Sequence, residues 1–231
     1  MTNIILQIET ATTACSAALL ANGEVIGSKL IDQRNIHAEV ITLFIDELLA
    51  NAGIKYNQLD AVAISSGPGS YTGLRIGVST AKGLCYALDK PLISIETLEA
   101  MTQGAISLYG DEIDSNTLLC PMIDARRMEV YTALFDSNGN RTAPTSAEII
   151  DGYSFKEQLA QHKIIFFGDG AAKCNSVLGD NANAVIKSDF VNSADHSTSK
   201  ALQKFKSENF EDVAYFEPFY LKDFIAGKKA L

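Results

Sequence analysis

The chain has 231 residues, of which 47% are hydrophobic and 20% charged; this is the composition of ordinary globular proteins, excludes disorder, and allows one large domain or two small ones. Nineteen Lys and Arg against 28 Asp and Glu leave a net charge of −9, which repels a phosphate backbone and excludes strong unaided binding to nucleic acid. The most basic spots, the pairs Arg126-Arg127 and Lys228-Lys229, read as solvated surface charge.

Ile4 to Ile8 is an apolar run broken only at Gln7, Thr10 to Thr13 is polar, and Ser16 to Leu20 is apolar again, which predicts strand, turn, strand. Asn22-Gly23 tolerates the positive φ angles of a type I′ hairpin, so Glu24 to Ile31 completes an antiparallel meander. A helix follows from Asn35, the expected N-cap, to Ala52. Ile41, Phe44, Ile45, Leu48, Leu49 and Ala52 recur at helical spacing there, and Gly53 stands at the C-terminal position. Val40 and Leu43 widen the apolar stripe beyond what one sheet needs, so part of it is expected to meet a second surface. Asp60 to Ser65 reads as a buried strand, Gly67 to Gly73 as a glycine-rich loop, Thr72 to Leu88 as a helix and Pro91 to Ile95 as a strand.

The order βββαβαβ is that of the ribonuclease-H-like unit, and actin-like ATPases carry two such units in tandem. The expected fold is therefore α/β, with two tandem ribonuclease-H-like subdomains, the second reduced. In the second half, Met122 to Phe135, Ser146 to Ile150 and Lys163 to Phe167 read as strands, and Phe155 to Gln161 and Ser199 to Phe205 as helices. Gly, Asp and Asn collected between Gly104 and Ser115 place the boundary there, giving units of 1–105 and 106–231.

The segment Ser66-Gly67-Pro68-Gly69-Ser70-Tyr71-Thr72-Gly73 follows a strand and opens a helix, where backbone N–H groups can hold a phosphate. It lacks the GK[ST] of a Walker A loop, and Thr72 stands where GxGxxG has its third glycine, so a tight strand-to-helix turn is the simpler reading. In the helix after it, Leu74, Val78, Ala81, Cys85 and Leu88 supply one apolar face. Gly73, Ile76, Gly77, Thr80 and Leu84 lie on another side, where small residues either pack internally or let a partner helix approach. Glu9 ends the first strand, where enzymes of this fold place an acid near a metal or phosphate, and Asp60, Glu96 and Asp124 also flank strands. Solvated strand-end acids are the commoner case.

The four cysteines, Cys15, Cys85, Cys120 and Cys174, contain no CxxC pair, and the three histidines, His37, His162 and His196, no HxxxH or HExxH. Buried thiols and no metal site are expected. The longest apolar stretches are far shorter than the ~20 residues that span a bilayer, so no membrane is expected. The N-terminus lacks a signal peptide's basic segment and cleavage site, so a cytoplasmic location is expected.

Four blocks carry a resemblance: Ile8-Glu9-Thr10-Ala11-Thr12 with Cys15-Ser16, Gly67 to Gly77 (GPGSYTGLRIG), Ile123-Asp124-Ala125-Arg126, and Glu217-Pro218-Phe219-Tyr220-Leu221. Together they closely resemble the bacterial TsaB (YeaZ) family, which belongs to the glycoprotease-like branch of the actin-like, sugar-kinase and chaperone ATPase superfamily. The resemblance implies a non-catalytic part in making threonylcarbamoyladenosine in tRNA. It further implies that the transferase is the paralogue TsaD, whose metal is held by two His four residues apart; Thr97 and Met101 stand at those positions here. Glu9 replaces a frequent aspartate, which weakens any nucleotide contact.

The resemblance also implies that the helices Asn35 to Ala52 and Thr72 to Leu88 form the surface shared by homodimers and TsaB–TsaD heterodimers, with Val40, Leu43, Phe44, Leu48, Gly73, Ile76, Gly77, Thr80 and Leu84 in the interface. Gly77→Leu and Phe44→Asp are expected to weaken that pairing. Glu9, Thr10, Gly67, Gly69 and Ser70 would form a vestigial nucleotide or phosphate site. No cofactor is expected on this chain, with ATP and metal on the partners. Those partners are TsaD, TsaE through the TsaB–TsaD complex, and tRNA only within the complex. The alternative is an independent ATPase or sugar-kinase-like phosphotransferase using Gly67 to Gly73 and Glu9, with a metalloprotease the weakest version.

Overall fold

A computed structural model describes residues 3–222; Lys228-Lys229 and the end of the expected second unit lie outside the described residues. The first sheet has strand order β3-β2-β1-β4-β5. It is built from the meander β1 (Ile4–Glu9), β2 (Ala14–Ala21) and β3 (Glu24–Asp32), then β4 (Ala61–Gly67) and β5 (Leu92–Glu96) joined in parallel. Asn22 at φ 55° and Gly23 at φ 94° close the β2–β3 hairpin as the dipeptide predicts. Helices α1 (His37–Ala52) and α2 (Tyr71–Leu88) cover one face: Leu6, Ile8, Leu19, Val62 and Ile64 meet Ile41, Ile45, Leu48, Leu49, Val78 and Ala81 there.

The second sheet has the order β10-β9-β6-β7-β8. It follows the same path through β6 (Thr117–Asp124), β7 (Glu129–Phe135), β8 (Arg141–Ile149), α4 (Lys156–Leu159), β9 (Lys163–Phe167), α5 (Ala171–Leu178) and β10 (Ala184–Lys187). With its crossover helices cut to 4 and 8 residues, it is the reduced copy. Between the sheets runs α3 (Thr97–Tyr109). Its Leu98, Met101 and Ala105 pack on the second sheet and its Ala100 on the first.

The structure corrects the sequence reading in three places. Asn35 is not the N-cap of α1; at φ 62° it turns the chain, and Ile36 occupies the cap without a side-chain bond. The helix start is fixed instead by the buried His37 ring, whose Nε2 lies 3.0 Å from Thr12 O and 3.2 Å from Ala14 O. The Gly104 to Ser115 stretch begins inside α3, where Gly104 leaves room for the His196 ring. Finally, α6 (Thr198–Lys206), expected with the second unit, packs on the first sheet: Ala201, Leu202 and Phe205 cover Ile5, Leu20, Ala61, Ala63, Ile93 and Ile95. Buried Gln7 of β1 is satisfied from that side, donating to Thr198 Oγ1 at 3.1 Å and accepting from Ser197 Oγ at 2.8 Å.

The candidate site where the four motifs meet

The glycine-rich loop and the β1–β2 turn are packed backbone to backbone. Ser70 N–H donates to Ala11 O at 2.7 Å, Ser70 Oγ caps α2 by accepting from Gly73 N–H at 3.2 Å, and Leu74 N–H returns to Ser70 O at 2.8 Å. A Cβ at Gly69 would collide with Ala11, one at Gly73 with Thr10 O, and one at Gly77 with Thr10 Oγ1 and Ile64. Gly73 and Gly77 therefore turn inward and hold the Thr10 turn; they are not a free face for a partner helix. Leu48 is likewise core, at 5% exposure. Of the other residues expected at the interface, Val40, Phe44, Ile76, Thr80 and Leu84 are half-buried and Leu43 is 55% exposed.

Glu9 is buried at the end of β1, accepting from Ala11 N–H at 2.6 Å and from the Ser65 hydroxyl. Burial pushes its carboxyl above the ordinary carboxylate value, against those two donors. Beside it the Cys15 thiol is pushed up to about 12, by burial first and by Glu9 second. A carboxyl whose pKa is raised by folding stabilises the fold fully below its unfolded value and loses that contribution as pH rises through the folded one. Glu9→Gln is therefore expected to flatten the loss of stability on going from acid to neutral pH; chemical denaturation at several pH values checks this, and unchanged pH dependence would refute it.

The corresponding strand end in the second sheet is Asp124, which pairs with Lys173 at 2.5 Å and whose N–H donates to Asp169 Oδ1 at 2.9 Å. The chain's end closes the group: Phe219 N–H donates to Ser66 O at 2.7 Å, the Tyr220 ring lies 5.0 Å from that of Tyr71, and Arg75 Nε donates to Tyr220 OH at 3.4 Å. Lys222 then pairs with Glu129 of β7. Tyr220 and Phe219 have no spacing signal that announces this docking; only their place in the Glu217–Leu221 motif singles them out.

Around the glycine-rich loop the described contacts are the chain's own. The Gly67 N–H donates to Thr97 Oγ1 at 3.2 Å, and a Cβ at Gly67 would strike Phe219 O, so the loop's concavity is filled by this chain. The cleft between the sheets, lined by Thr12, Thr13, Asp32, Met101, Asp169 and Asn192 among others, has a volume of about 20 Å³, against roughly 300 Å³ or more for a small-molecule site. The larger cavity, about 250 Å³ between β7, β8 and α4, is lined by Leu134, Ala143, Ile150 and Phe155 and contains none of the motif residues. Thr97 and Met101 are both fully buried, and no group of three metal-ligating side chains converges among the described residues. All four cysteines are buried and unpaired, and no described helix is long and apolar enough to cross a membrane.

Two ribonuclease-H-like halves around a cleft define the actin-like ATPase fold. A YeaZ structure from Pseudomonas aeruginosa superposes with a TM-score of 0.77 at 24% identity, over 95% of this chain and 100% of that one. The sequence profile described as "TsaD: tRNA N6-adenosine threonylcarbamoyltransferase" matches residues 25–226. The Escherichia coli "tRNA threonylcarbamoyladenosine biosynthesis protein TsaB" is 32% identical over 97% of both chains. The protein of that name from Haemophilus influenzae is 45% identical over 55% of this chain, a match that spans about half, 51%, of the relative's length. The chain belongs to the TsaB (YeaZ) family of tRNA threonylcarbamoyladenosine biosynthesis proteins, in the glycoprotease-like branch of the actin-like ATPase superfamily.

Proposed function

We propose that this chain is a non-catalytic subunit of the tRNA threonylcarbamoyladenosine machinery: it binds the transferase TsaD and supports transfer of threonylcarbamoyl from threonylcarbamoyl-adenylate to a tRNA adenosine. The observation that carries this reading is the filled site. Gly67, Gly69, Gly73 and Gly77 are spent on packing, and by the family resemblance Thr97 and Met101 stand where a catalytic paralogue would need its metal ligands. The family names of the relatives support the pathway. ATP and metal then belong to the partners, TsaE joins through the complex, tRNA is met only there, and the compartment is the cytoplasm.

The partner surface proposed is the outer side of α1 and α2, where Leu43 is 55% exposed and Val40, Phe44, Ile76, Thr80 and Leu84 are half-buried; without TsaD the same surface would pair two copies. Reconstituted transfer to tRNA, with this chain or TsaD left out in turn, tests the reading. Activity that requires both proteins is expected. Transfer indifferent to this chain would overturn the proposal, and nucleotide hydrolysis by this chain alone would favour the independent ATPase.

A further inference from the structure

The turn joining β6 to β7 is closed by bonds from Ala125 N–H to Glu129 O and from Glu129 N–H to Arg126 O, each 3.1 Å, with Arg126 at φ 68° and Arg127 at φ 46°. Two consecutive left-handed residues are what Asn-Gly provides at little strain, and this chain uses Asn22-Gly23 for that purpose at the β2–β3 turn. At 126 and 127 it places arginines, whose Cβ atoms make such a backbone unfavourable. No internal contact accounts for the choice: among the described residues neither exposed guanidinium has a hydrogen bond, ion pair or ring contact.

The turn is nevertheless held firmly. Arg126 N–H donates to Asp124 Oδ1 at 2.9 Å, Asp124 is paired with Lys173 at 2.5 Å, and Glu129 on the other side is paired with Lys222. Both flanking acids are thus neutralised by lysines. In a chain of net charge −9, no acid among the described residues pairs with either guanidinium.

We propose that Arg126 and Arg127 form a contact for the phosphate backbone of RNA, effective only when an assembled complex supplies the rest of the affinity. The proposal rests on the tRNA-modification reading above. Guanidiniums match phosphate in a bidentate fork, whereas two contacts on an acidic protein are too few to hold RNA unaided. The turn belongs to the second sheet, while the surface proposed for TsaD, on α1 and α2, belongs to the first, which favours RNA over a protein carboxylate as the occupant.

The test is the double substitution Arg126→Asn with Arg127→Gly, which removes both charges and supplies the residues this turn prefers. The expected result is a thermal midpoint equal to or above wild type, unchanged capture by TsaD, unchanged kcat, and a KM for tRNA raised about tenfold in the reconstituted reaction. The slope of log KM against log salt should fall by about 1.5, at roughly 0.7 to 0.9 per lost phosphate contact. An unchanged KM and salt slope, in a reaction that still requires this chain, would overturn the proposal and leave the scaffold reading standing. Lost capture by TsaD would overturn it too, by assigning the arginines to a protein partner. A reaction indifferent to the wild-type chain would overturn both.

Discussion

Replacing Gly73 by alanine is expected to destabilise the protein by about 3 kcal/mol, the upper part of the usual range for forced overpacking. The added Cβ would meet the carbonyl oxygen of Thr10, a backbone atom tied into the β1–β2 turn, so no side-chain rotation relieves the contact. Gly77→Leu should do at least as much harm, since Thr10 and Ile64 stand against that position. It therefore tests the fold, not a partner surface. Gly83, with open space where its Cβ would lie, is the internal control: Gly83→Ala removes a helix-interior glycine and should stabilise by about 1 kcal/mol. Urea midpoints at constant m value measure all three. Equal effects at 73 and 83 would show that Gly73 is present only as a helix residue and that the packed-turn account is wrong.

Leu43→Asp is expected to lower affinity for TsaD by about 100-fold, the scale of a hot-spot loss of roughly 2.7 kcal/mol, while leaving the melting transition unchanged at concentrations too low for two copies to pair. Leu43 is 55% exposed, so the isolated fold gains little from it. Phe44 is the less clean probe: it is half-buried against the first core, with Lys29 Nζ 5.8 Å from its ring centre, so Phe44→Asp costs stability as well as pairing. Titration calorimetry with TsaD gives the affinity and scanning calorimetry the stability. Wild-type affinity for Leu43→Asp would remove α1 from the interface.

The first sheet was legible because its elements are bounded by strong local chemistry: Asn22-Gly23 sets the hairpin, Gly53 at φ 67° ends α1, and β4 opens with the apolar run Ala61 to Ile64. α3 escaped because its polar stripe is one residue wide, Glu99, Gln103 and Ser107. Thr97, Leu98, Ala100, Met101, Thr102, Gly104 and Ala105 are all buried between two sheets, and its N-terminus has no capping side chain. α5 is 8 residues long and β10 only 4, too short for periodicity to decide.

At the site, the spacing of Gly73 and Gly77 shows that one side of α2 is approached closely, but a turn of the same chain and a partner helix leave the same sequence pattern. Only the three-dimensional position of Thr10 separates the two. Glu9 could be singled out as a strand-end acid, whereas its burial with Ser65 depends on β4 lying beside β1.

The roof over the first sheet has a consequence for synthesis. Phe205, Leu202 and Ala201 cover Ile5, Leu20, Ala61, Ala63, Ile93 and Ile95, yet they leave the ribosome about a hundred residues after β5. At roughly 5–20 residues per second, the nascent chain carries that apolar face bare for about 5–20 s. Throughout that interval it offers chaperones and other nascent chains a surface for capture or mispairing. The N-terminal half thus matures only when the far end of the chain arrives, and a fragment stopped near residue 105 is a chaperone client, not a folded domain.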